Sequence, residues 1–572
     1  MENMLSPRLL CLLALPVLLL TGGTGGHTFN RKLSRDLRAE HALDRLAFGA
    51  RPGDVERVRR MGLDKWIDEQ LHPERIAPNP LLAERLKPLE TLSLSIAQVA
   101  EQYPLRAGVK TKKDPAAATG KSLRDLLSPA EIRQLRQGTP GEKLAFLESL
   151  DAEKRTAVLS TLPLALRRPL LAAGSPALRR EVLALGNPVA IVGADLVEAK
   201  IYRALYSDRQ LEEVLVDFWF NHFNVYMNKG PERLMVAAYE RDAVRPFVLG
   251  KFSDMLLATA KHPAMLFYLD NWQSVDPKAM EAMEKRRRGN GGGGGNNKPL
   301  TKRARGLNEN YARELMELHT LGVDGGFTQQ DVIDVARSFT GWTLLNPRRG
   351  ASYTFAARLH DQTEKVVLGH KIAAGRGQED GLEVLSILAK HPSTARFLSR
   401  KLAQRFVADQ PPQALVDRMA ATFTKTQGDL REVMKTMIGS PEFFSEGAHR
   451  AKLKSPFELV VSAARALDAN VTGALPLSAR IEALGQPLYR KEEPTGYYDT
   501  AGEWTNTAGL LARMNFATAL ASNQLQGSKV DASRYSPPAA LRAAIASQIE
   551  GRQPTPEIIA GLALGSPEFQ RR

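Results

Sequence analysis

The fifteen residues 307–321, LNENYARELMELHTL, limit the fold more than any other stretch of the chain. They have the composition and spacing of a helix, and they crowd five ionisable side chains (Glu309, Arg313, Glu314, Glu317 and His319) onto about four turns. His319 falls on the stripe of Ala312, Leu315 and Met316, so it faces a core. Arg313 and Glu317 are spaced as a surface ion pair, and Asn310 and Glu314 as a second i,i+4 contact. A buried imidazole beside carboxylates must find partners on other segments. The expected fold is all-α: a large, irregular multi-helix domain with one small β-hairpin near 353–369. There Tyr353-Thr354-Phe355 and Lys365-Val366-Val367-Leu368 read as extended, with His360 and Asp361 between them.

Packing alone has to stabilise this fold. Cys11 is the only cysteine in 572 residues and lies in the apolar run 9–20, so the remainder has no disulfide, thiolate metal site or cysteine nucleophile. With Arg8 before the run and small residues 21–26 after it, residues 1–26 read as a secretory signal peptide. The run is short for a membrane span, and none is expected beyond it. The expected location is therefore periplasmic or extracellular, with an uncleaved N-terminal anchor as the alternative. The net charge of +15 can attract nucleic acid, anionic lipid or an acidic wall polymer. No basic stripe studded with aromatics accompanies it, which argues against nucleic acid.

Residues 27–104 read as short core helices. Residues 105–193 are rich in Lys, Arg, Ala and Leu and carry Ser128-Pro129, Thr139-Pro140 and Ser175-Pro176, each an N-cap followed by a first-turn proline, so they read as a helical insertion. Core helices resume over 194–283. Residues 284–302, EKRRRGNGGGGGNNKPLTK, read as a disordered glycine-rich loop. Core helices fill 303–572. Thr328 and Asp331 there have capping-box spacing, and Gly-Ser-Pro-Glu-Phe at 439–443 and 565–569 reads as two helix starts.

Four constellations can carry chemistry. In DFWFNHFNVY (217–226), His222 shares a helical face with Leu215, Phe218 and Trp219, while Asp217, Asn221 and Asn224 share another. His222 is either a buried core histidine, a metal ligand or a base. The second constellation is 307–321, which lacks both the Glu-x-x-His and the His-Glu-x-x-His metal spacings. The third is His360-Asp361 with Lys365, a satisfied turn or a pair of ligands. The fourth is GQPLYRKEEPTGYYDTAGEW (485–504), whose Tyr489, Tyr497, Tyr498 and Trp504 can line a sugar or peptide cleft or plug the bundle. Nucleophile-elbow, phosphate-loop and dinucleotide patterns are lacking.

Several long segments resemble the bacterial family called domain of unknown function 1800: HALDRLAFG (41–49), YSDRQLEEVLVDFWFNHFNVY (206–226), the stretch 239–271, NENYARELMELHTLGVDGGFTQQDVIDVARSFTGW (308–342), the His-Asp block 360–369, HPSTARFLSRKLAQRFV (391–407) and the block 485–513. The resemblance implies a large, helix-rich bacterial protein, often exported. It also implies an envelope partner from a second exported family, domain of unknown function 1501, which is similar to alkaline phosphatases and sulfatases. It transfers no catalytic residue.

The leading expectation is an exported cell-envelope protein that binds or assembles another exported protein. A polar centre is expected to join Asp217, Asn221, His222, Asn310, Arg313, Glu317, His319 and His360. The alternative is metal-assisted hydrolysis, with a divalent metal on His222, His319 and His360 and with Glu314 or Asp361 as the base.

Overall fold

Local caps start many of the helices. In the computed structural model, which describes residues 28–105, 122–163, 166–167, 170–171, 174–289, 306–505, 507–548 and 554–572, Ser128, Thr139, Ser175 and Thr328 each accept a backbone N–H at a helix start. Asp331 closes the capping box of Thr328 as its spacing requires. The architecture is all-α with three two-stranded antiparallel sheets among the described residues. No described helix is long and apolar enough to cross a membrane.

Five helices carry the residues discussed below: α1 (Ala190–Tyr206), α2 (Gln210–His222), α3 (Gln329–Ser338), α4 (Pro392–Phe406) and α5 (Pro456–Ala466). They share one continuous hydrophobic core that includes Tyr202, Trp219, Phe339, Phe406 and Phe457. Residues of the 105–193 segment close a second, smaller core around Leu135, Leu147, Val158, Leu159 and Leu178. Two ion pairs, Arg179–Glu198 and Arg180–Asp195, fasten that unit to α1.

The extended runs near 353–369 do form strands, but not with each other. The strand β1 (Trp342–Leu345) pairs with β2 (Ser352–Phe355), and β3 (Lys365–Val367) pairs with β4 (His370–Ile372). Each run meets its nearest neighbour through a short loop, which costs less chain entropy than the longer closure around His360-Asp361. A third pair, β5 (Asn470–Val471) with β6 (Ser528–Lys529), had no signal in the sequence.

Three further expectations change. Residues 284–289 end the helix Pro277–Gly289 and are not loop, while the glycine run itself and the signal segment 1–26 lie outside the described residues. At 439–443 the chain turns without forming a helix, although Ser440 Oγ still accepts the N–H of Phe443 (3.3 Å). At the second copy Ser566 caps the short helix Pro567–Gln570. Finally, 307–321 is not one α-helix. After Asn310–Glu314 the turn widens into a π-helix, Leu315–Thr320, with Leu321 N–H bonded to Met316 C=O (2.8 Å). His319 is buried within that wider turn, and such turns are frequent at functional positions.

Candidate functional site

The polar face of α2 does not meet the other histidine segments; it meets the aromatic loop 485–504. Asn221 clasps that loop with both ends of its amide: Nδ2 donates to Tyr497 C=O (2.8 Å) and Oδ1 accepts Tyr497 N–H (2.7 Å). Asn224 donates to the carbonyls of Lys491 (3.0 Å) and Glu493 (2.9 Å). Gly496 permits the approach. Its φ is +68°, and a Cβ there would lie 2.3 Å from the Asn221 carbonyl oxygen, a backbone atom that cannot swing aside. Gly496→Ala is therefore expected to unseat the loop at a cost of about 1–3 kcal/mol. A drop in thermal midpoint with loss of the near-ultraviolet aromatic signal would register it.

Between loop and helix lies a narrow cleft with about 40 Å³ of free space, lined by Asp217, Asn221, Asn224, Tyr489, Tyr497, Tyr498, Asp499 and Trp504 with the cations Lys200, Arg405 and Lys491. Asp217 accepts Lys200 Nζ at 2.7 Å and Arg405 at 3.4 Å. Arg405 also holds Asp499 (3.1 Å) and Glu458 (2.8 Å). Glu458 is shared with Arg572 (2.9 Å), and its other oxygen closes the capping box with Ser455 at the start of α5. Burial opposes the charge on Arg405, but the three carboxylates outweigh it and raise its pKa. Burial likewise raises the Glu458 carboxyl, and Arg405 and Arg572 overcome that and bring it down to about 2. Tyr489 turns its hydroxyl to Glu240 (2.5 Å) and its ring to Lys200 (5.1 Å). Tyr497 and Trp504 sit ring against ring at 5.6 Å, and Tyr498 is 58% exposed at the mouth. The cleft thus has a rigid floor of paired charges and an aromatic rim, which suits binding more than proton transfer.

His222 points away from the cleft into the core. Its Nε2 faces the carbonyl of His319 (3.0 Å) and its Nδ1 the ammonium of Lys401 (3.1 Å), so Nε2 carries the proton and Nδ1 accepts. The two imidazole rings are 6.1 Å apart. Burial and the neighbouring ammonium keep both neutral, His222 well below its ordinary value and His319 at about 3. His319 Nε2 is buried and has no hydrogen-bond partner among the described residues. Neutral imidazoles are what a metal requires, but both nitrogens of His222 are engaged and a cation stands against one of them. The pair does not fit a divalent ion.

Burial lowers the Lys401 ammonium from 10.5 to about 8, and among the described residues no carboxylate pairs with it. A folded pKa below the unfolded one means that the unfolded chain holds the extra proton between about 8 and 10.5. Stability from this group therefore rises with pH across that window and is depressed below it. Lys401→Met is expected to be more stable than the parent at pH 7, with the difference closing as pH rises through the window. Urea unfolding at pH 7 and pH 10 measures it.

His360 belongs to a separate network. Its Nδ1 meets Thr340 C=O (2.8 Å) and its Nε2 meets Asp380 (3.2 Å), which also takes buried Lys365 at 2.7 Å. Asp361 is bound by Arg337 (2.7 Å). Burial raises the Asp361 carboxyl, but the bonds from Arg337 and Thr363 prevail and hold it at about 2, too acidic for a base near neutral pH. No hydrogen bond, ion pair or ring contact between described residues joins this network to His222 and His319. Among the described residues no three His, Cys, Asp or Glu side chains are arranged to hold a metal ion. The expected common polar centre is thus three separate places.

Tyr311, Ala312, Leu315 and Met316 of 307–321 lie in the main core, and its remaining charged and amide side chains lie at the periphery. Asn310 is exposed, and Arg313 pairs with Glu309 (3.5 Å) and Gln329 (2.8 Å) and not with Glu317. Glu314 and Glu317 are half-buried; burial and then the Glu317 charge raise the Glu314 carboxyl.

The family model described as "Protein of unknown function (DUF1800)" matches residues 41–571. The chain belongs to that family. No curated protein and no solved structure matches it. The DUF1800 match spans both sides of the cleft, α2 and the loop 485–504, so the cleft lies wholly within the family region.

Sequence reasoning missed Lys200, Arg405, Glu458 and Asp499. For Arg405 a signal was present: with Leu398 and Leu402 it occupies one i, i+4, i+7 stripe of α4, and an arginine on an apolar stripe implies a buried charge with partners.

Proposed function

We propose that this member of the DUF1800 family is an exported cell-envelope protein that acts by binding, with the cleft between α2 and the loop 485–504 as its binding site. The observation that carries the reading is the clasp of Asn221 on Tyr497, which pre-forms a cleft with one aromatic ring, Tyr498, exposed to solvent beside it. Pre-formed sites lose little freedom on binding, so their contacts appear as affinity. The signal-like residues 1–26 support export, and we propose an exported protein of the domain of unknown function 1501 family as the partner with which the chain assembles. Metal-assisted hydrolysis has no comparable support, because its histidines are divided between two networks.

The test is retention of the purified chain on washed envelope fragments, which carry both polymers and exported proteins. The parent is expected to be retained, and a Tyr498→Ala/Trp504→Ala variant that melts normally is expected to wash off. Equal retention of both would refute the cleft as the binding site. Recovery of the native protein from the cytoplasm, with residues 1–26 intact, would refute export.

A further inference from the structure

We infer that the cleft takes a neutral glycan, a chain of pyranose rings lying on Tyr498 while its hydroxyls bond Asp217 and Asp499. The inference rests on the cleft being the binding site, and three observations carry it.

The first is charge. Each lining cation already has a carboxylate: Lys200 has Asp217, Arg405 has Asp217, Asp499 and Glu458, and Lys491 has Glu493 (3.1 Å). No lining cation waits for an anion, which disfavours phosphate, nucleotides and acidic polymers.

The second is the loop backbone. The carbonyls of Lys491, Glu493 and Tyr497 and the amide of Tyr497 are spent on Asn221 and Asn224. An extended peptide bound by strand addition needs such groups free. What faces the cleft is side chains.

The third is the kind of side chain. A pyranose with equatorial substituents has a flat C–H face and a rim of hydroxyls that both donate and accept. Tyr498 offers an exposed ring for that face. Each oxygen of Asp217 has one cationic partner, and Asp499 meets Arg405 through Oδ1, so acceptor capacity remains for hydroxyls. Ion pairing holds these groups in place before the sugar arrives.

The test is calorimetric titration of the full chain with chitohexaose and with cellohexaose, alongside inorganic phosphate and the unstructured peptide Ala-Lys-Thr-Glu-Ser-Ala. At least one hexasaccharide is expected to bind. Tyr498→Ala, with an unchanged melting temperature, should weaken it roughly tenfold, the scale of one lost aromatic contact with its buried area. Tyr498→Phe, which keeps the ring, should stay close to the parent. Failure of both hexasaccharides overturns the inference, as does binding that Tyr498→Ala leaves unchanged. So does tighter binding of phosphate or the peptide at the cleft. If the sugars fail while retention on envelope fragments still depends on the rim residues, the glycan is wrong and the binding site stands. If retention does not depend on them, both fall.

Discussion

Arg405→Ala is expected to lower folding stability by about 3–5 kcal/mol, the penalty of leaving buried charges unpaired. Arg405 is nearly buried and touches three carboxylates, Asp217, Asp499 and Glu458. Removing it leaves Glu458 with Arg572, while Asp217 keeps Lys200 and Asp499 loses its ion-pair partner. Lysine has one point charge where the guanidinium presents a planar fork, so Arg405→Lys should recover less than half of the loss. The acid limb of the stability curve should move as well. The Glu458 carboxyl lies at about 2 in the folded chain against an ordinary 4.5, so its contribution is fully present above 4.5 and is lost as pH falls towards 2. Without Arg405 the folded carboxyl should move back up towards 4.5, so that acid-dependent loss should be smaller and be complete at a higher pH. Urea titrations at pH 7 and across the acid range measure both effects. A variant as stable as the parent would show that the cleft floor does not depend on this residue.

Asp380→Ala should cost a similar 3–5 kcal/mol for a different reason, and without touching the cleft. Asp380 is fully buried and is the carboxylate held by both Lys365 (2.7 Å) and His360 (3.2 Å). Lys365 retains the carbonyls of Asp361 (2.6 Å) and Thr363 (2.9 Å), with the nearest remaining carboxylate, Asp361 Oδ1, at 3.9 Å and already bound by Arg337. Asp380→Asn keeps an acceptor and should cost less. The double replacement Lys365→Met/Asp380→Leu removes both charges and should recover most of the stability, because an apolar pair often replaces a buried ion pair at little cost. Denaturant unfolding of the singles and the double gives the coupling directly. Retention on envelope fragments should be unchanged wherever the variant is folded. A folded Asp380→Ala that no longer binds would put His360 and Asp361 back into the functional site.

Signals confined to one segment were legible in the sequence. The Thr328–Asp331 box, the amide face of α2 and the aromatic rim of 485–504 each follow from local spacing, and the structure brings the last two together. What could not be read was the pairing between distant segments. His222 and His360 look alike in sequence, as single histidines beside aromatic or acidic neighbours, yet one meets Lys401 and the other Asp380. The strand runs were visible, but three or four residues carry too little register information to choose partners. The π-turn at Leu315–Thr320 left no mark because its apolar positions fit an ordinary helix equally well. Arg405 shows the general difficulty: its stripe announces a buried charge, but its three carboxylates lie at positions 217, 458 and 499.

The most direct test of the cleft is hydrogen–deuterium exchange of the full chain with and without solubilised envelope extract. Exchange is predicted to slow in the peptides covering 485–504 and 217–226 and to stay unchanged in those covering 315–322 and 360–367. Slowing confined to the histidine segments, with the aromatic loop unaffected, would contradict it.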